Sequence, residues 1–192
     1  MILEYLQPDA SILDGITVII RALYYIATIG AAGLAIFAIG FEHRLEAHEA
    51  ARLRRTLLGA ILAGLALSLL ALILRVLVLT AGANISDPNV WAAVMRSRIG
   101  DAFWLRTAGL VLLAAMVTNW RIRSAMTAIG ALLMLASYAA MGHSMLFAPR
   151  QEIAALVVLH LAVVSFWVGS LPPLLWVALL TAGRAKATAN SL

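Results

Sequence analysis

The 192-residue chain has no cysteine, which removes disulfide frameworks, thiolate metal sites and cysteine nucleophiles together. Charge is scarce: 12% of residues are Asp, Glu, Lys or Arg, about half the share in a soluble domain. A water-facing surface around a single core cannot be built from so few. Acidic residues are the scarcer sign, nine against fourteen Lys and Arg, and none lies deep in an apolar run, so a carboxylate proton relay has no support. Other absences narrow the field further. No GxxxxGK[ST] loop is present, so the chain itself does not power transport by nucleotide hydrolysis. There is no His-Glu-x-x-His helix and no Ser/His/Asp order worth assigning, so no catalytic residue is named and no enzyme is expected.

What is present is apolar. Hydrophobic residues make up 64% and mean hydropathy is +0.98. That excludes a disordered chain and predicts an all-α polytopic membrane bundle, a single transmembrane domain over residues 1–192. Five spans of about 20 residues or more follow from the runs: 12–41, 56–82, 102–120, 124–145 and 153–180. The N-terminus has no Lys or Arg, so a cleaved leader is not expected there. Between the second and third spans, Ser86 or Asp87 can cap a short helix at 88–99 with Pro88 in its first turn. Val90, Trp91, Val94 and Met95 are expected to turn its apolar face to the membrane. Trp104 and Trp120 suit the aromatic belts, Pro172 and Pro173 should kink the fifth span, and Gly30, Gly33, Ala60 and Gly64 should permit close packing.

The net charge of +5 reads as topology, with no nucleic acid as partner. Arg44, Arg52, Arg54, Arg55, Arg121, Arg123, Arg184 and Lys186 fall on one side. Arg96, Arg98 and Arg150 fall on the other. The positive-inside rule then predicts an outside N-terminus and a cytoplasmic C-terminus. The lipid bilayer is the obligatory partner, and a homo-oligomer is left open.

Three arginines remain, and all lie inside spans. Arg21, Arg75 and Arg106 each fall in the outer half. An ionisable group in a span is costly and marks a functional position by default. Arg106 is near enough to the edge to snorkel to headgroups. Arg21 is not, and is expected to point into the bundle toward Asp14, Asp101 or backbone carbonyls. His43 and His48 sit among charges in the first inner loop and read as solvated. His143 and His160 end up at similar depth on neighbouring helices, joined by the short segment 146–152, and could share a ligand. Met141 and Met145 flank His143, and thioether with imidazole suits Cu(I). In a straight helix the two methionines share a face while His143 points about 160° away, so convergence needs the helix to end near Gly142.

Four segments together resemble the copper-resistance protein D family of bacterial inner-membrane proteins. They are Arg21-Ala-Leu-Tyr24-Tyr-Ile-Ala-Thr-Ile-Gly30, Ser97-Arg-Ile-Gly100-Asp-Ala-Phe-Trp104-Leu-Arg106, Tyr138-Ala-Ala-Met-Gly142-His143-Ser and His160-Leu-Ala-Val-Val-Ser-Phe-Trp167-Val-Gly169-Ser-Leu-Pro172. The resemblance implies a bundle in the inner membrane that handles copper between periplasm and cytoplasm, beside a small periplasmic copper-binding protein. It implies His143 and His160 as metal residues, with Trp167, Gly169, Arg21 and Arg106 shaping the site. The expected function is therefore copper uptake or resistance, with Cu(I) held near the periplasmic face by His143, His160, Met141 and Met145. Binding needs neutral imidazoles, so acid should weaken it. The alternative is a redox protein holding haem b. The same histidines would be axial ligands, their nitrogens about 4 Å apart across the iron. Arg21, Arg75 and Arg106 would meet the propionates.

Overall fold

A computed structural model describes residues 7–80, 85–119, 121–141 and 149–189. Six α-helices account for nearly all of them: α1 (Gln7–Phe41), α2 (Ala47–Leu79), α3 (Pro88–Met95), α4 (Arg98–Leu113), α5 (Arg123–Met141) and α6 (Arg150–Ala189). Short 3₁₀ turns at Glu42–Arg44 and Ala114–Val117 close α1 and α4. Among the described residues, five segments are long and apolar enough to cross a membrane: Gly15–Arg44, Ala47–Leu79, Arg98–Val117, Arg123–Met141 and Gln151–Leu180. The protein is an all-α polytopic bundle.

Helix α1 is the centre. Ala31, Ala32, Leu34, Ala35, Phe37 and Ala38 are all buried. Burial at consecutive positions means neighbours on more than one side, and α1 touches α2, α4, α5 and α6. Helix α2 instead buries a single stripe. Leu53, Leu57, Ile61, Gly64, Ser68, Leu72 and Val76 recur at three or four residues, which stacks them on one face. Its remaining apolar side chains, such as Leu62 and Leu69, are exposed. Exposure of this kind belongs to a helix facing hydrocarbon, where burial of apolar area against water is not the driving force.

Close approach takes over that role. A Cβ on Gly33 would lie 1.8 Å from the Ser165 carbonyl oxygen, and one on Gly169 would lie 2.3 Å from the Gly33 carbonyl carbon. The backbones of α1 and α6 therefore touch where neither residue has a side chain. Gly109 and Gly130 do the same for α4 and α5, each Cβ position lying 2.7 Å from the other's carbonyl oxygen. Gly33 and Gly64 are packed as the small-residue reading expects, but a Cβ on Gly30 would meet open space.

The helix bounds differ from the hydrophobic runs for local reasons. Helix α2 begins at Ala47 rather than Thr56, because Glu46 and Glu49 form a capping box upstream of the apolar run. The Glu46 N–H donates to Glu49 Oε2 at 2.9 Å. Helix α6 is continuous through Pro172 and Pro173. The short connecting helix lies at 88–95: Asp87 caps it, accepting from the Asn89 N–H at 2.8 Å, with Pro88 in the first turn. Its apolar face does not turn to lipid as expected. Val94 is buried against Leu72 and Val76, with Val90, Trp91 and Met95 packed around them. Trp91 Nε1 donates to the Ile85 carbonyl at 2.7 Å, anchoring the ring beside the bundle. A neighbouring protein surface was available within reach, and packing there satisfies the indole N–H that hydrocarbon cannot.

Candidate functional site

Helices α1, α2, α4 and α5 supply residues at helical spacing to one cavity of about 500 Å³ at one end of the bundle. From α1 come Thr17, Ile20, Arg21, Tyr24 and Tyr25, a single face at i, i+3, i+4, i+7 and i+8. From α2 come Ser68, Ala71, Leu72, Leu74, Arg75 and Val78. Helix α4 adds Ile99, Phe103 and Arg106, and α5 adds Tyr138 and Met141. Arg21, Arg75 and Arg106 thus line one space although they come from three helices.

Arg106 is the buried one of the three, 7% exposed, so it does not snorkel to the headgroups. Its guanidinium carbon lies 4.7 Å from the Tyr24 ring centre and 4.8 Å from that of Tyr138. A desolvated guanidinium between two π faces gains about 2 kcal/mol from such contacts, which offsets part of its desolvation. The rings are held in turn. Thr28 Oγ1 donates to the Tyr24 carbonyl at 2.7 Å, so its hydrogen bond with Tyr138 uses the tyrosine as donor. Tyr25 leans on the Tyr138 ring at 5.4 Å between centres.

Among the described side chains, no Asp or Glu lines the cavity, and Asp101 is exposed outside it. The ion pairs of the described residues involve Glu42 and Glu46 instead. Arg106 Nε is buried without a hydrogen-bond partner. Unit positive charges about 8 Å apart repel by about 2 kcal/mol at an effective dielectric of about 20, so a space lined by three guanidiniums favours an anion.

Of the proposed copper ligands, Met141 lines the cavity and is exposed at the end of α5. His143 and Met145 lie outside the described residues. His160 is exposed on α6 and Trp167 is 68% exposed; neither lines the cavity. Burial on α6 falls instead to Ser165, Gly169, Ser170 and Pro173, the residues turned toward α1. No group of three or more His, Cys, Asp or Glu that could hold a metal ion occurs among the described residues.

The opposite end carries a second polar cluster. Glu42 is 6% exposed. Arg54 of α2 pairs with its Oε1, and Arg123 Nη2 lies 3.1 Å from its Oε2. His43 and His48 stay exposed, His48 Nδ1 lying 3.4 Å from Glu46 Oε2. Nearby, Arg52 stacks on Trp176, 4.3 Å from the ring centre, beside a small cavity of about 90 Å³.

The tyrosines are what sequence reasoning missed. The signal was there: Tyr24 and Tyr25 follow Arg21 at i+3 and i+4, so an arginine facing the bundle carries them with it. The family model described as Copper resistance protein D-like, N-terminal domain matches residues 12–148. No curated protein matches the chain, and no solved structure does.

Proposed function

Since the chain belongs to the copper resistance protein D-like family and is a copper-resistance-related, multi-pass membrane protein, we propose that it takes up Cu(I) as cargo at its outer end and helps pass it across the bacterial inner membrane. The observation that carries this reading is the place of Met141. Its thioether lines the cavity, and His143 follows two residues later in the chain. In a continuous helix Met141 and His143 diverge, so this donor set requires the helix to end near Gly142. His160, on the exposed surface of α6, is open to supply the second imidazole, and Met145 a further thioether. Soft thioether and imidazole donors select Cu(I) over harder cations. In this reading the outer end is periplasmic, and a small periplasmic copper-binding protein delivers the ion.

The test is copper stoichiometry of purified protein in detergent under reducing conditions. The wild type should hold one Cu(I), and His143→Ala with His160→Ala should hold almost none. Full retention of copper in the double variant overturns the assignment.

The three-arginine cavity favours a second reading, haem b with its propionates on Arg21, Arg75 and Arg106. No imidazole lines the cavity among the described residues, so this reading draws its axial ligands from elsewhere. The visible spectrum separates the two: a Soret band in the wild type supports haem, and its absence with copper bound supports the first reading.

A further inference from the structure

We propose that the three-arginine cavity binds the phosphate of an anionic phospholipid, drawn sideways into the bundle from the outer leaflet. This does not rest on the copper reading, whose donors are sulfur and imidazole.

The arginines are graded in exposure. Arg21 and Arg75 are exposed, and Arg106 is 7% exposed with an unpartnered Nε. A phosphate entering from the interface therefore meets exposed guanidiniums first and an unsatisfied buried donor last. Among the described side chains, no carboxylate lines the cavity to compete for them.

The cavity's surroundings point to a lipid rather than a free ion. Beside Arg21, Val18, Ile19 and Leu23 are exposed, and beside Arg75 so are Val78 and Leu79. These are hydrocarbon-facing surfaces, so the cavity edge is continuous with the bilayer. Between the arginines and the hydroxyls of Thr17, Ser68, Tyr24, Tyr25 and Tyr138 the walls are apolar: Ile20, Leu72, Leu74, Ile99 and Phe103. These apolar side chains suit an acyl chain, which inorganic phosphate lacks. The ligand the cavity matches is an amphiphile with an oxyanion at one end.

The experiment uses purified full-length protein in neutral detergent. Midpoint shifts and apparent affinity are measured on adding phosphatidylglycerol, phosphatidylcholine or inorganic phosphate, and bound lipid is identified by native mass spectrometry. Phosphatidylglycerol should stabilise the protein and remain bound, while phosphatidylcholine and inorganic phosphate do neither. Arg21→Gln with Arg75→Gln, both at exposed positions outside the packed core, should weaken phosphatidylglycerol binding by at least about tenfold, the scale of losing charge-assisted hydrogen bonds. Arg106→Lys should weaken it too, because an ammonium keeps the charge but not the planar donor fork. Equal effects of the two lipids, or an unchanged affinity in the double variant, overturn the proposal. An inorganic phosphate effect as large as that of phosphatidylglycerol overturns the lipid source. A Soret band lost in the double variant overturns it in favour of haem.

Discussion

Arg123 of α5 reaches Glu42, its Nη2 lying 3.1 Å from a carboxylate oxygen that is buried just past the end of α1. Arg54 of α2 takes the other oxygen, so one carboxylate ties three helices at the arginine-rich end. Glu42→Gln should leave two cations without their anion and destabilise the protein by about 2–3 kcal/mol. The figure falls below the roughly 3–5 kcal/mol of a fully buried broken pair, because the arginine side chains are 33% and 28% exposed and partly screened. The check is the unfolding midpoint in detergent at neutral pH. An unchanged midpoint removes Glu42 from the structural core.

The α1–α6 contact has its own test. Gly169→Ala places a methyl against the Gly33 backbone and should cost about 1–3 kcal/mol, since backbone rather than a flexible side chain must give way. Gly30→Ala, on the same helix as Gly33 but facing open space, should be neutral or stabilise by up to about 1 kcal/mol through helix propensity. Thermal denaturation of the pair measures the difference; equal midpoints would mean that α1 and α6 do not depend on this approach.

Tyr138 combines a ring contact with a hydrogen bond, and the two can be separated. Tyr138→Phe keeps a π face on Arg106 and loses the bond to Thr28, at a cost of about 1 kcal/mol. Tyr138→Ala also removes the ring and should cost about 3 kcal/mol or more. Urea titration in detergent reads both, and a phenylalanine variant as damaging as alanine would assign the whole effect to the hydroxyl.

Orientation follows from the arginine bias. A chain with no cysteine gives unambiguous single-cysteine labelling. Asn89→Cys should react with an impermeant thiol reagent from the periplasmic side and Arg121→Cys only after the cells are opened. The reverse pattern inverts the topology.

Met141 at the cavity rim is the weaker of the proposed copper donors. Met141→Leu nearly conserves volume and removes only a thioether, so it should lower Cu(I) affinity less than His160→Ala does. Competition against a Cu(I) chelator ranks them, and a larger loss from the methionine variant would make the thioether the principal ligand.

Burial on the two faces of α2 explains why the spans were legible. A run of apolar residues long enough for hydrocarbon is sufficient, because in a bilayer a helix satisfies its own backbone and needs no neighbour to exist. Leu53 and Leu62 both mark the same helix, though one is buried and the other exposed. The same indifference hid the interfaces: apolarity does not separate lipid from protein, so the face of α3 was assigned to the membrane when Leu72 and Val76 cover it.

Sequence alone determined the five spans, the arginine bias and the cost of placing Arg21, Arg75 and Arg106 within them, because transfer into hydrocarbon is a property of each residue and its close neighbours. Tertiary structure decided which of those arginines is buried, that all three share one cavity, and that Tyr24 and Tyr138 flank Arg106. It also decided that Glu42 is buried between arginines of α2 and α5. Those outcomes depend on the rotation of each helix about its axis. That rotation is set by where backbones can touch, at Gly33 against Gly169 and Gly109 against Gly130, and only the packed bundle brings such distant positions together.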